Sequence, residues 1–78
     1  MEKKFSDLTI HQKLEIVIKE MVDKEVQFRD AQSEFEKIFL DTAAKKYGGN
    51  KTKLAKQIGI HRNTLNSRAK ILKIKSLI

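Results

Sequence analysis

The chain of 78 residues contains no proline and only three glycines, at positions 48, 49 and 59. These are the residue types that force or permit a sharp change of backbone direction, so the polypeptide has few places where it must turn. Between them Lys, Glu, Gln, Ala and Leu predominate, and no stretch alternates apolar with polar side chains as a strand would. An all-α fold follows. There is no cysteine to supply a disulfide, as expected of a cytoplasmic protein. A lone chain this short buries little surface against its ordering entropy, so a second copy of itself is the expected source of further burial. No apolar run approaches the ~18 residues of a membrane span, and no membrane partner is expected.

The apolar periodicity divides the chain into four helices. Leu14, Val17, Ile18, Met21 and Val22 recur at spacings of three and four, predicting a helix from Ile10 to Val26 capped by Thr9 or Asp7. Ser33 and Glu36 have the spacing of a capping box and place the start of a second helix at Glu34. Its stripe is Phe35, Ile38, Phe39, Ala43 and Tyr47, and Gly48 with Gly49 ends it. Leu40 and Ala44 widen that stripe beyond what one interface uses. The surplus can close over the last two helices, or it can pack on a second chain as a four-helix dimer. The second arrangement is preferred, with Leu14, Val17, Ile18, Met21, Phe35, Ile38 and Phe39 in the dimer interface.

Asn50 is placed to cap a third helix from Lys51 to Gln57, whose inner side holds Leu54, Ala55 and Ile58. Gly59 interrupts it, and a fourth helix begins near His61 with Leu65, Ala69 and Leu72 on one face. Two short helices joined by a glycine-containing turn have the sequence shape of a helix-turn-helix. Boundaries fall at residues 8–47 for the dimerisation helices and 50–74 for the helix-turn-helix, within one domain spanning 1–78.

Charge gives this shape a partner. All ten carboxylates lie at or before Asp41, where seven Lys and Arg leave a net charge of −3. Thr42 to Ile78 carries ten Lys and Arg and no carboxylate. A plain helical hairpin has no reason to exclude every negative charge, whereas a surface for duplex DNA does. With Leu65, Ala69 and Leu72 inward, Asn63, Asn66, Ser67 and Lys70 turn outward, and Arg62 and Thr64 flank that face. Arg62, Asn66 and Ser67 are the candidates for base edges, because Arg pairs with guanine and Asn with adenine in the major groove. Asn63, Thr64 and Lys70 are assigned to the backbone, together with Asn50, Lys51 and Thr52 at the start of the third helix.

At these residues the chain resembles the Fis-type DNA-binding domain. That domain occurs in the factor for inversion stimulation and at the C-terminus of NtrC-type activators that work with sigma-54 polymerase. The segment FEKIFLDTAAKKYGGNKTKLAKQIGIHRNTLNSRAKILKI, Phe35 to Ile74, carries the resemblance, most specifically in GGNKTKLAKQIGI followed by HRNTL. The resemblance implies a homodimer presenting two helix-turn-helix units to an inverted-repeat site. It implies DNA-contacting roles for Arg62 and Thr64, with Asn50 and Thr52 beside phosphates. It also implies sigma-54 polymerase as a partner, through receiver and ATPase domains outside this sequence. Only nine residues precede the first helix, which favours such a detached domain, or a short stand-alone relative, over a protein with an N-terminal hairpin.

Three departures from the family pattern carry consequences. His61 stands where the family has a capping Asn or Ser, and is expected to cap poorly or to reach a phosphate. Asn66 and Ser67 replace basic residues, which leaves the target sequence open. Lys73 replaces a terminal glycine, so the last helix is expected to run longer.

Other function classes find little support. His11 and His61 have no metal-ligand spacing around them, the glycines form no nucleotide-binding motif, and Glu15 with Lys19 reads as surface pairing, so neither an enzyme nor a cofactor is expected. The alternatives retained are an architectural DNA-bending protein and a helical protein-interaction module.

Overall fold

The computed structural model describes residues 4–48 and 50–77. It is all-helical among those residues, with α1 at Ile10–Asp23, α2 at Phe28–Lys46, α3 at Lys51–Ile58 and α4 at Arg62–Ile71, and 3-10 turns at Phe5–Asp7 and Lys75–Leu77. The chain divides after Ala31 into two compact units.

In the first unit α1 begins with a reciprocal cap. Thr9 Oγ1 accepts from the Gln12 N–H at 3.1 Å while Gln12 Oε1 accepts from the Thr9 N–H at 2.9 Å, which satisfies two of the donors a helix start leaves open. The helix stops at Asp23, three residues before the expected end. There the Val26 N–H reaches the Met21 carbonyl and the Glu25 N–H the Val22 carbonyl, with Glu25 at φ 59°. This is the Schellman closure, made here without the glycine that normally announces it. The exposed face is laced by His11–Glu15, Lys19–Asp23 and Glu20–Lys24 pairs, so Glu15 and Lys19 each take a partner other than one another. Leu14, Val17 and Ile18 are 47%, 41% and 44% exposed, and α1 contains no buried residue.

The second helix starts at Phe28 rather than Glu34. Its first backbone bond runs from the Ala31 N–H to the Gln27 carbonyl, which puts Ser33 inside the helix instead of at its cap. Serine and glutamate three apart also face each other within a helix, so the spacing alone did not mark a boundary. The C-terminal end is as expected: Tyr47 N–H bonds to the Ala43 carbonyl and Gly48 takes φ 68°. Gly49 lies outside the described residues.

From Gln32 onward a core of Leu40, Ala44, Leu54, Ala55, Leu65, Ala69, Ile74 and Leu77 closes, with Leu54, Leu65 and Ala69 fully buried. Leu40 and Ala44 therefore take the first of the two arrangements open to them and pack on the helix-turn-helix. Phe35, Ile38 and Phe39 point elsewhere and remain 58%, 57% and 48% exposed. The two phenylalanine rings lie 5.6 Å apart on successive turns. The wide stripe of α2 is thus two faces, one used and one open.

Between α3 and α4 the backbone reverses at Gly59, where φ is 76° and both the Gly59 and Ile60 N–H groups close on the Ala55 carbonyl. A side chain at that φ would be strained, and small Ala55 lets the turn fold back closely. The far end of α4 differs from expectation. The helix does not run on: Lys73 adopts φ 55°, its N–H reaching the Lys70 carbonyl and the Ile74 N–H the Ala69 carbonyl. Lysine thus adopts the left-handed conformation that the resemblance implies for a glycine at this position. The strain is offset by the burial this reversal permits, since Ile74 and Leu77 are each 2% exposed and the turn carrying them is latched by Ser76 Oγ donating to Asp41 at 2.8 Å.

Replacing Lys73 with Gly is expected to stabilise the chain by about 1 kcal/mol by relieving the left-handed backbone, read as a raised urea midpoint at unchanged slope. Asp41 is held below the ordinary aspartate value of 3.8 by hydrogen bonds from Lys45 and Ser76, with the Lys45 and Lys37 charges adding to them. A depressed carboxyl contributes stability that is complete above the unfolded value and lost as pH falls through the folded one. Urea midpoints of Asp41→Asn should therefore lie below those of the native chain at neutral pH and converge on them as pH drops below 3.8.

Candidate nucleic-acid interface

The start of α4 is set by His61. Its Nδ1 accepts from the Asn63 N–H at 3.0 Å, so the imidazole serves as the cap. An accepting Nδ1 leaves the proton of a neutral ring on Nε2. The Arg62 and Thr64 N–H groups, also in the first turn, have no acceptor within the helix by geometry. Asn50 does the same for α3, its Oδ1 accepting from the Lys53 N–H at 3.1 Å. Both helices of the pair thus begin with side-chain caps and open amide groups, an arrangement that favours anions.

With Leu65 and Ala69 buried, Arg62, Asn63, Thr64, Ser67 and Lys70 all lie exposed on α4, as do Asn50, Thr52, Lys53 and Lys56 at and along α3; Lys51 is partly covered. Asn66 departs from its expected role. It is only partly exposed, and its Oδ1 is buried without a hydrogen-bond partner. Reading adenine requires the amide oxygen and nitrogen together at the base edge, so this conformation does not offer the bidentate contact.

Pairing within the unit accounts for two of the three carboxylates that α2 brings to it, Glu34 being the third. No carboxylate belongs to α3 or α4, and two that α2 contributes to this unit are engaged: Asp41 with Lys45 at 3.0 Å and Glu36 with Arg68 at 2.6 Å. Each is set against a cation of its own, Lys45 or Arg68, and not against Arg62, Lys53, Lys56 or Lys70. Among the described residues no group of three or more His, Cys, Asp or Glu side chains could hold a metal ion, and no helix is long and apolar enough to cross a membrane.

A family model described as bacterial regulatory protein, Fis family, matches residues 31–72, more than half of the chain. The chain belongs to the Fis family. Its helix-turn-helix is accordingly a DNA-binding unit with a regulatory role, and α3 and α4 are its two helices. The Fis family match begins at Ala31, one residue before the second compact unit, and stops at Leu72, before the latched turn. No curated protein and no solved structure matches the chain significantly.

Sequence reasoning missed the Glu36–Arg68 pair, and of His61 it expected a poor cap or a phosphate contact rather than the capping seen. The first had no local signal, since the partners are 32 residues apart. The second was legible in principle, because position 61 directly precedes the helix and imidazole nitrogen can accept.

Arg62 is the long, exposed cation nearest the helix start. Arg62→Ala should weaken binding to a specific duplex by roughly 1–3 kcal/mol and relax discrimination at one base pair per half-site, measured by competition between cognate and singly altered duplexes.

Proposed function

We propose that this chain binds an inverted-repeat DNA site as a homodimer, as the DNA-binding domain of an NtrC-type sigma-54-dependent activator. The observation that carries the dimer is the open face of α2. Phe35, Ile38 and Phe39 lie exposed beside a helix-turn-helix that is already closed by Leu40 and Ala44. Apolar faces of this kind are costly to leave in water and mark interaction surfaces. Leu14, Val17, Ile18 and the half-covered Met21 supply a second such stripe on α1. Paired with those of a second copy, these stripes make a four-helix core from residues 8–47, and residues 50–74 read DNA twice.

In this reading Arg62 and Ser67 address base edges, while Asn50, Lys51, Thr52, Asn63, Thr64 and Lys70 hold phosphates. The activator assignment rests on the family resemblance, with α1 preceding α2 in the order that the resemblance implies for a dimerisation helix. Receiver and ATPase domains would lie outside this sequence, and sigma-54 polymerase would be reached through them.

Light scattering at micromolar concentration should give twice the 9.0 kDa chain mass. Selection from a random duplex pool should return a two-fold symmetric motif. Affinity should fall steeply with salt, the logarithmic slope being roughly −0.9 per phosphate neutralised. A monomer that returns a single half-site would overturn the dimer, and absence of binding at low salt would favour a protein-interaction module instead.

A further inference from the structure

Arg68 is the one basic residue of α4 that does not face outward with the others. Arg62 and Lys70 are exposed, but the Arg68 side chain is only 35% exposed and is turned toward α2, where its Nε donates to Glu36 Oε2 at 2.6 Å. Glu36 is slightly better covered, at 30% exposed. The pair sits in a groove of about 320 Å³ whose walls include Phe35, Phe39, Ile58 and Ile60, and Thr64 lines the same groove one turn before Arg68.

The other ion pairs of the described residues join positions four apart on one helix and cannot orient one helix against another. Glu36–Arg68 spans two. Each partner is about two-thirds covered, and a charge-assisted bond prescribes distance and direction where apolar burial prescribes only proximity. Burial alone lets a short helix rotate or slide by small amounts. A recognition helix that does so displaces every base contact at once, since such contacts need placement within about 0.5 Å and 10–20°.

We infer that Arg68 is a positioning residue: by pairing with Glu36 it fixes the rotation of α4 on α2, and so the presentation of Arg62 and Ser67 to the bases, without touching DNA. This rests on the DNA-binding role proposed for the chain.

The test uses the full chain, the selected duplex and a random-sequence duplex of equal length. Arg68→Gln and Glu36→Gln should each lower the ratio of specific to random affinity by about tenfold, equivalent to ~1.4 kcal/mol. The double variant should be no worse than either single one, the salt slope should stay that of the native chain, and Glu36→Arg combined with Arg68→Glu should recover discrimination. An Arg68 that contacts phosphate would instead lower affinity for both duplexes and flatten the salt slope, while Glu36→Gln left binding unchanged or tighter; that result overturns the inference. So does a lowered urea midpoint with discrimination intact. If the native chain binds neither duplex, the DNA-binding reading falls and the inference with it, whereas a native chain that binds while the two substitutions act independently overturns the inference alone.

Discussion

The closure of Leu54 on Leu65 across the Gly59 turn is the contact on which the rest of this molecule depends. Both leucines are fully buried, and each contributes on the order of 2–3 kcal/mol of transfer energy to helices of only eight and ten residues that could not persist alone. Ala55 and Ala69 keep the two backbones close, and Leu40 with Ala44 roofs the pair. Everything the surface does depends on this packing. Once Leu65 points inward, the 3.6-residue period turns Asn63, Ser67 and Lys70 outward and leaves Arg62 on the flank of that face.

Polar groups then refine the angles that apolar contacts leave loose. His61 and Asn50 fix where the helices begin, and Glu36 with Arg68 ties the second of them to α2. The Asp41–Ser76 bond anchors the chain after α4. Each of these is modest in net energy, yet each specifies a direction, which burial does not. The division of labour suits a small DNA-binding unit, whose core can hold few side chains and whose reading surface demands fixed angles.

How much of this the sequence disclosed depended on whether the signal was local. Asn50, Gly59 and the Leu54, Ala55, Leu65, Ala69 set were legible because caps, left-handed turns and helical periodicity operate over a few residues. The break between α1 and α2 was misplaced because Glu25 takes a glycine's conformation without being one, and because Ser33 and Glu36 fit the interior of a helix as well as its start. Ile74 and Leu77 come after the last helix and belong to no period, so their burial depends on a fold that periodicity cannot describe. For the interface, the face of α4 was readable from the wheel, but the inward set of Asn66 Oδ1 and the pairing of Arg68 were not, since both depend on the groups that neighbouring helices place opposite them.

The turn after α4 bears on where the smallest self-sufficient piece of this chain ends. The family model matches as far as Leu72, but two of the eight buried apolar side chains among the described residues, Ile74 and Leu77, come after it. A segment trimmed to the region of family likeness would keep all of α3 and α4 and the surface they present, while exposing the undersides of α2 and α4 to water. The limits of shared ancestry and the limits of autonomous folding therefore differ here by one short turn, and it is the less conspicuous turn that encloses the core.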